Sequence, residues 1–427
     1  MSRSATFDDN ASAWLIGAPP DEPAPPLARD LTVDVAIIGG GFTGVSTAYH
    51  LSRRFPGRGI ALLEARTLAN GASGRNGGLV LNGITVLEFD PDVAAREHAI
   101  TRGAIDAIEA LIREHALPVR FQRTGCLRVA TTSESAEAAH AEVEALAARG
   151  VPLRYVPGAE LPVRGGHGGI FDPTEATIAG IDLVRAMRPL LVARGVQIFE
   201  GTHVTSIRER TPLELVTPGG TIRAQKLVLA TSGYTPRLGY FTTGLLPVIS
   251  HVIATEPVPA GVALPETGFF DDLPRLGYCS ITPDRRVVFG GGTTSAYAYR
   301  FGNRTGDPGP FDDAPLRATL TRYLPQLADI PVGRRWSGPL DLTLVRHCAI
   351  GVLRERIYYA LGYSGHGITL ANLAGRVIAD LHDDHHEPWR DCAFYMRRPG
   401  GIPPEPLRWL GYHLYTRLTG KSPWKRG

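Results

Sequence analysis

Gly39, Gly41 and Gly44 stand in GxGxxG spacing, and Glu64 follows 20 residues after the last of them. The pattern suits dinucleotide chemistry. The first glycine permits a tight turn, the second lets the backbone approach a pyrophosphate, and the third lets a helix pack closely on a strand. The acidic side chain accepts hydrogen bonds from a ribose. A helix that opens at such a turn offers unpaired N–H groups and the positive end of its dipole to phosphate. A second glycine-rich loop, Gly362 to Gly367 in "GYSGHG", also leads into a helix and makes a second anion site of the same kind. Between them in sequence lies "NGASGRNGG", Asn70 to Gly78, with four glycines and no aliphatic side chain larger than alanine. So bare a backbone suits close approach to a ligand. Nothing in Gly39 to Glu64 chooses between NAD and FAD.

These residues need elements to hold them. Val33 to Ile38 is a nearly continuous apolar run, as in a strand buried on both faces; a helix follows that ends in Arg53, Arg54 and Gly57, and "GIALLEA" gives a second strand closing on Glu64. The stretch Val93 to Arg149 is largely helical, with Ile105, Ile108, Leu111 and Ile112 on one face, interrupted by "VRFQRTGCLRVA", which reads as a hairpin. Strands are expected at Val196 to Phe199, Val204 to Glu209 and Leu213 to Thr217. The run "QKLVLATSGYTP" then returns to the dinucleotide sheet and carries Thr231 and Gly233 near its ligand. Leu245 to Gly292 alternate as in an antiparallel sheet of a second domain, and Leu316 to Leu324 form a helix stopped by Pro325. The helix after Gly367 buries Leu370, Leu373, Val377, Ile378 and Leu381.

Composition limits the partners. Forty-five basic against 42 acidic residues among 427 give +3, too small a surplus for a nucleic-acid reader. The N-terminus lacks a signal-peptide pattern and no apolar run is long enough to span a membrane, so the chain reads as soluble and cytoplasmic. Cys126, Cys279, Cys348 and Cys392 have no metal or redox spacing and read as isolated thiols; no metal is expected. The Pro-rich lead, residues 1–30, is expected to lie extended on the surface.

The segments "DVAIIGGGFTGVSTAYHL", "LLEARTLANGASGRNGG", "LVLATSGYTP" and "ALGYSGHGITLANLAGRVIA" stand in the order found in the FAD-dependent D-amino-acid oxidase superfamily. Within it the chain resembles the group of glycine and sarcosine oxidases and gamma-glutamylputrescine oxidases. The resemblance implies an α/β protein: a glutathione-reductase-type Rossmann FAD-binding domain, built from residues 31–90, 151–244 and 335–385, with a discontinuous mixed-sheet α+β substrate domain from 91–150 and 245–334, and a tail from 386. By that resemblance Gly39, Gly41, Phe42, Thr43 and Gly44 hold the pyrophosphate, Glu64 the ribose, and Ala65 and Arg66 the adenosine side. Gly71, Ala72, Ser73, Arg75, Asn76, Gly77 and Gly78 run along pyrophosphate and flavin. Val204, Thr231 and Gly233 pass near the cofactor, and Gly362, Ser364, Gly365, Gly367, Ile368 and Thr369 face the flavin. Asn76 is expected to make polar contacts near the flavin, and Arg75 to reach the phosphates or to hold the loop.

The implied chemistry is oxidation of the C–N bond of a small amine or amino acid, with hydride passing to the flavin and the imine hydrolysing in water. His366 and Tyr363 of the flavin loop and His251 are the candidate catalytic residues, with Tyr278 and Arg300 as substrate contacts. Sarcosine oxidases attach flavin through a cysteine in the segment matching "RRWSGPLDLT", where this chain has none, so the FAD is expected to be non-covalent. The lysine they use with oxygen is also missing from "DRRVVFGGG". An oxidase producing hydrogen peroxide is expected; a dehydrogenase with another acceptor and a flavin-binding subunit without turnover are the alternatives. In the tail, Leu407, Leu410, Leu414 and Leu418 form one stripe beside basic residues, expected to pack on the enzyme's own body or a subunit rather than on an anionic membrane surface.

Overall fold

The computed structural model describes residues 11–83, 89–273, 276–291, 297–299, 301–302 and 312–419. Leu31–Ile38, the helix Phe42–Arg54 and Ile60–Leu63 form the expected strand, helix, strand unit. The two strands pair in parallel, Val35 opposite Ile60 through Ile38 opposite Leu63. On the other side Leu31–Ile38 pairs in parallel with Gly220–Leu229, which pairs in turn with Ile357–Leu361, while Gln197–Phe199 flanks Ile60–Leu63. Ser206–Arg208, Leu213–Thr217 and Ala349–Leu353 extend this eight-stranded sheet with antiparallel ladders. Ala36, Ile37, Leu62, Leu227 and Val228 have no exposed surface, as a central parallel strand requires.

The helix Gly367–His382 crosses the helix Phe42–Arg54 at very close range. A Cβ on Gly375 would stand 2.2 Å from Ser46 Oγ, and that hydroxyl donates to the Asn372 carbonyl at 2.6 Å. Both glycine loops are thereby brought to one edge of the sheet.

The second sheet has nine strands and is mixed. Its spine is Leu246–Thr255 against Val332–Leu342, antiparallel from Leu246 opposite Leu342 to Ala254 opposite Arg334. Gly268–Asp271 and Cys126–Ala130 pair in parallel farther along. Arg154–Pro157 and Gly168–Asp172, expected with the first domain, are hydrogen-bonded in this second sheet, as is all of Val332–Leu342. The expected hairpin at "VRFQRTGCLRVA" does not form. Phe121–Gln122 pairs with Ala176–Ile178 in a small three-stranded sheet, whereas Cys126–Ala130 joins the large mixed sheet. Gly125, at φ +74°, donates its N–H to the Glu175 carbonyl and turns the chain from one sheet to the other. Two short alternating runs fit either partner, so periodicity alone could not choose.

The lead is anchored more deeply than expected. Trp14 and Leu27 are buried, and the Ala24 and Leu27 amides donate to Glu200 at 2.6 Å and Thr202 at 2.9 Å. At the other end the helix Leu407–Thr419 turns Arg408 and Tyr412 inward and leaves its leucines exposed, so of the two expected partners of the stripe, the enzyme's own body or a subunit, the body is not the one. Among the described residues no helix is long and apolar enough to cross a membrane.

Candidate functional site

A cavity of about 860 Å³ opens between the two sheets, lined by both glycine loops and by the bare stretch between them. Its floor begins at Gly39, which has φ +110° and sits so that a Cβ would meet the Ala230 carbonyl oxygen at 2.4 Å. Only glycine fits there. Gly44 does not line the cavity; a Cβ on it would stand 1.9 Å from the Gly39 carbonyl oxygen, so its part is to let the helix close on the turn. Gly41, Phe42 and Thr43 present the helix N-terminus to the cavity, and the Phe42 amide donates to Ser73 Oγ at 3.0 Å.

The bare loop is held by its own carbonyls. Ser12 Oγ donates to the Gly74 carbonyl at 2.7 Å, Trp336 Nε1 to Arg75 at 3.0 Å, Trp14 Nε1 to Asn76 at 2.8 Å and Ser280 Oγ to Gly77 at 2.5 Å. Four successive carbonyls are thus bound by side chains from three distant parts of the sequence. Such anchoring fixes a backbone that has few side chains to bury. The Asn76 side chain works inside the loop, its amide donating to the Ser73 carbonyl at 2.7 Å and its oxygen accepting from the Gly78 amide at 2.9 Å. It braces the loop and also lines the cavity, where its polar contact with the flavin is expected. Arg75 also braces: its Nη1 donates to the Asn70 carbonyl at 2.6 Å. Gly71, Ala72, Ser73, Gly77 and Gly78 line the cavity with them.

Glu64 closes the second strand and accepts from the Gly40 amide at 2.7 Å and the Arg66 amide at 2.9 Å. Burial pushes its carboxyl above the usual range, opposed by these amides. Ala65, Arg66 and Val204 line the same end, with Thr202 and His203 beside them.

The second loop supplies Tyr363, Ser364, Gly365, His366, Gly367 and Ile368 to the cavity, whereas Gly362 and Thr369 lie behind it. His366 is the N-cap of the helix Gly367–His382 and makes no side-chain cap bond, leaving the first-turn amides to the cavity. Burial lowers the His366 pKa, favouring the neutral ring. Tyr363 Oη and Thr43 Oγ1 share a hydrogen bond of 2.6 Å, tying the two helix N-termini together. Thr369 Oγ1 donates to the Leu81 carbonyl at 2.7 Å, which seats the helix on the neighbouring strand end. Asp341, which sequence reasoning missed, holds this loop from below. Its carboxylate accepts from the Gly362 amide at 2.6 Å, and its carbonyl from the Ser364 amide at 3.1 Å. Burial raises its pKa to about 6, opposed by the Gly362 amide and the Ser232 hydroxyl.

On the side of the second sheet, Tyr278 lines the cavity and its hydroxyl meets Ser250 Oγ at 2.9 Å; burial raises its pKa to about 12, so it stays protonated. His251 does not reach the cavity. It is the next residue along the same strand, faces the other way and meets Ser337 Oγ at 2.6 Å through Nδ1. Period-two alternation makes Ser250, not His251, the residue on the cavity face. Arg300 lies outside the described residues. Thr231 lines the cavity and Gly233 does not; Ser232 and Tyr234 of the same segment do, as do Arg237, Phe270, Leu340 and Arg346, none of these last four singled out in the sequence.

A profile of the family described as FAD dependent oxidoreductase matches residues 34–381. Gamma-glutamylputrescine oxidoreductase of Escherichia coli is 30% identical over 404 residues, covering 88% of this chain and 89% of its own length. Glycine oxidase of Geobacillus kaustophilus is 25% identical, over 82% of this chain and 92% of its own. The crystal structure of that glycine oxidase superposes with a TM-score of 0.73 at 22% identity, covering 87% of this chain and all of the other; L-proline dehydrogenase from P. horikoshii superposes at 0.69 and 21%, covering 83% and 94%.

Proposed function

The chain belongs to the FAD-dependent oxidoreductases, and from that premise we propose that it oxidises a C–N single bond of an amine or amino acid with FAD held non-covalently. The observation that carries the reading is the meeting of two helix N-termini, at Gly41–Thr43 and His366–Ile368, across one cavity and joined by the Tyr363–Thr43 hydrogen bond. Two such ends suit a ligand that is anionic at two places, a pyrophosphate and the electron-rich edge of a reduced flavin. The cradle fits: at Gly39 and Gly44 a Cβ would strike backbone, so these glycines let strand, turn and helix close tightly beside the cavity, and none of the four cysteines lines it. That supports non-covalent attachment.

Gly39 to Thr43 would hold the pyrophosphate, Glu64 the ribose, and Ala65, Arg66 and Val204 the adenosine side. Ser73 to Gly78 would run beside pyrophosphate and flavin, their carbonyls already occupied on the protein side. Bound FAD supplies the two-electron acceptor for hydride leaving the carbon next to nitrogen, the imine then hydrolysing in water. The protein's own work is positioning and charge. The protonated Tyr278 hydroxyl, held by Ser250, orients the amine, and the apolar Phe270 and Leu340 keep water from the reacting face. Neutral His366 at the helix end adds no positive charge that would repel a substrate cation. The relatives named for gamma-glutamylputrescine, glycine and proline support an amine or amino acid as the substrate class.

Purified protein is expected to be yellow, to release FAD into the supernatant on acid precipitation, and to bleach anaerobically with a member of a panel of secondary amines, polyamine conjugates and amino acids. Colour kept in the pellet would overturn non-covalent attachment, and a chain that no nitrogen compound bleaches would overturn the C–N assignment. The rate of recolouring in air separates oxygen from another acceptor.

A further inference from the structure

The helix Leu407–Thr419 is held to the body from one side only. Arg408 donates through Nε to the Pro403 carbonyl at 2.9 Å and through Nη2 to the Thr242 carbonyl, Tyr412 packs on Tyr299 with ring centroids 5.5 Å apart, and the Trp409 amide donates to Glu405 at 3.1 Å. The opposite side is apolar and open. Leu407, Leu410, Leu414 and Leu418 are 61, 56, 53 and 75% exposed. At about 100° per residue the four fall within an arc of roughly 80°, with Arg417 just beyond its edge. No aspartate or glutamate occurs from Pro406 to Gly427, while Arg408, Arg417, Lys421, Lys425 and Arg426 do. Leu344, 63% exposed, lies between the cavity-lining Leu342 and Arg346 and beside Gly401.

We propose that this face docks on an anionic phospholipid surface, the four leucines entering the headgroup boundary with Arg417 at their edge. An exposed leucine arc is what an interfacial helix buries, Arg417 at its edge can extend toward headgroups, and a sequence in which Lys421, Lys425 and Arg426 follow with no acidic residue matches a negative leaflet. The rest of the chain carries −2 (+3 overall less +5 in this segment), spread over more than 400 residues, so a second copy offers far less negative charge density than an anionic leaflet.

Full-length protein is to be sedimented with vesicles of pure phosphatidylcholine and of phosphatidylcholine with about one-third phosphatidylglycerol, beside the variant Leu410→Glu/Leu414→Glu and the single variant Leu418→Glu. Both variants change exposed positions, and unchanged melting temperature and flavin absorbance report that the fold is intact. The wild type is expected to bind the anionic vesicles at least roughly fivefold better than the neutral ones and to lose that gain in high salt. The double variant is expected to lose roughly tenfold or more in binding. Absence of wild-type binding, or equal binding by the variants, overturns the proposal. So does a wild-type dimer in light scattering that the variants turn into monomer while vesicles are ignored, because a second copy would then cover the stripe.

Discussion

Replacing Asp341 by asparagine tests how the flavin-facing loop is held. The carboxyl is buried beneath Gly362 to Ser364, and its pKa stands at about 6 against an ordinary 3.8. A carboxyl whose pKa is raised on folding binds its proton more tightly in the native state, so stability falls as pH rises through the window from 3.8 to about 6. At 1.36 kcal/mol for each pH unit, the charged form costs the fold about 3 kcal/mol above pH 7, and about 1.6 kcal/mol at pH 5.0. Asparagine keeps an oxygen for the Gly362 amide and carries no charge, so it imitates the protonated acid. Relative to wild type, Asp341→Asn should therefore gain about 1.4 kcal/mol between pH 5.0 and 7.5, whatever constant offset the substitution itself adds. Urea unfolding followed by tryptophan fluorescence at both pH values gives the difference directly. A difference that stays flat, or that moves against the variant as pH rises, would refute the reasoning and mean that the loop amides stabilise the carboxylate more than burial penalises it.

Other substitutions probe the rest of the cradle. Gly44→Ala places a methyl 1.9 Å from the Gly39 carbonyl oxygen; it should destabilise by about 1–3 kcal/mol and lower the flavin-to-protein absorbance ratio of the purified chain. Tyr363→Phe leaves the buried Thr43 hydroxyl without its partner and should cost about 1–3 kcal/mol in urea unfolding, with Thr43→Val less than additive in the double variant. Trp14→Ala removes both a buried ring and the donor to the Asn76 carbonyl. A loss of about 3–5 kcal/mol is expected, together with faster FAD release in gel filtration.

The parts of the site legible in the sequence were those whose chemistry is local. Gly39, Gly41, Gly44 and Glu64 sit within one strand, helix, strand unit, so their spacing alone implies the turn. Gly362 to Gly367 was legible for the same reason, a glycine run between an apolar strand and an amphipathic helix. What failed depended on parity or on distant partners. His251 and Ser250 differ by one residue, and only the pairing of Leu246–Thr255 with Val332–Leu342 decides which of them faces the cavity. Asp341, Phe270 and Arg346 carry no motif; they belong to the site because the sheets bring them there. Asn76 was rightly singled out as exceptional in its loop, but whether an amide serves the ligand or its own backbone is a matter of local geometry that composition does not encode.

The four anchored carbonyls of Gly74 to Gly77 bear on how the protein is made. Their donors are Ser12, Trp14, Ser280 and Trp336, so the last arrives about 260 residues after the loop leaves the ribosome. At roughly 5–20 residues per second that is an interval of roughly 13–52 s. For about the first 200 residues of it the glycine stretch has only its first two anchors, and until Trp336 is made its set of four stays incomplete. FAD capture is thus a late event of synthesis, and truncated chains that retain the whole GxGxxG unit are expected to emerge colourless.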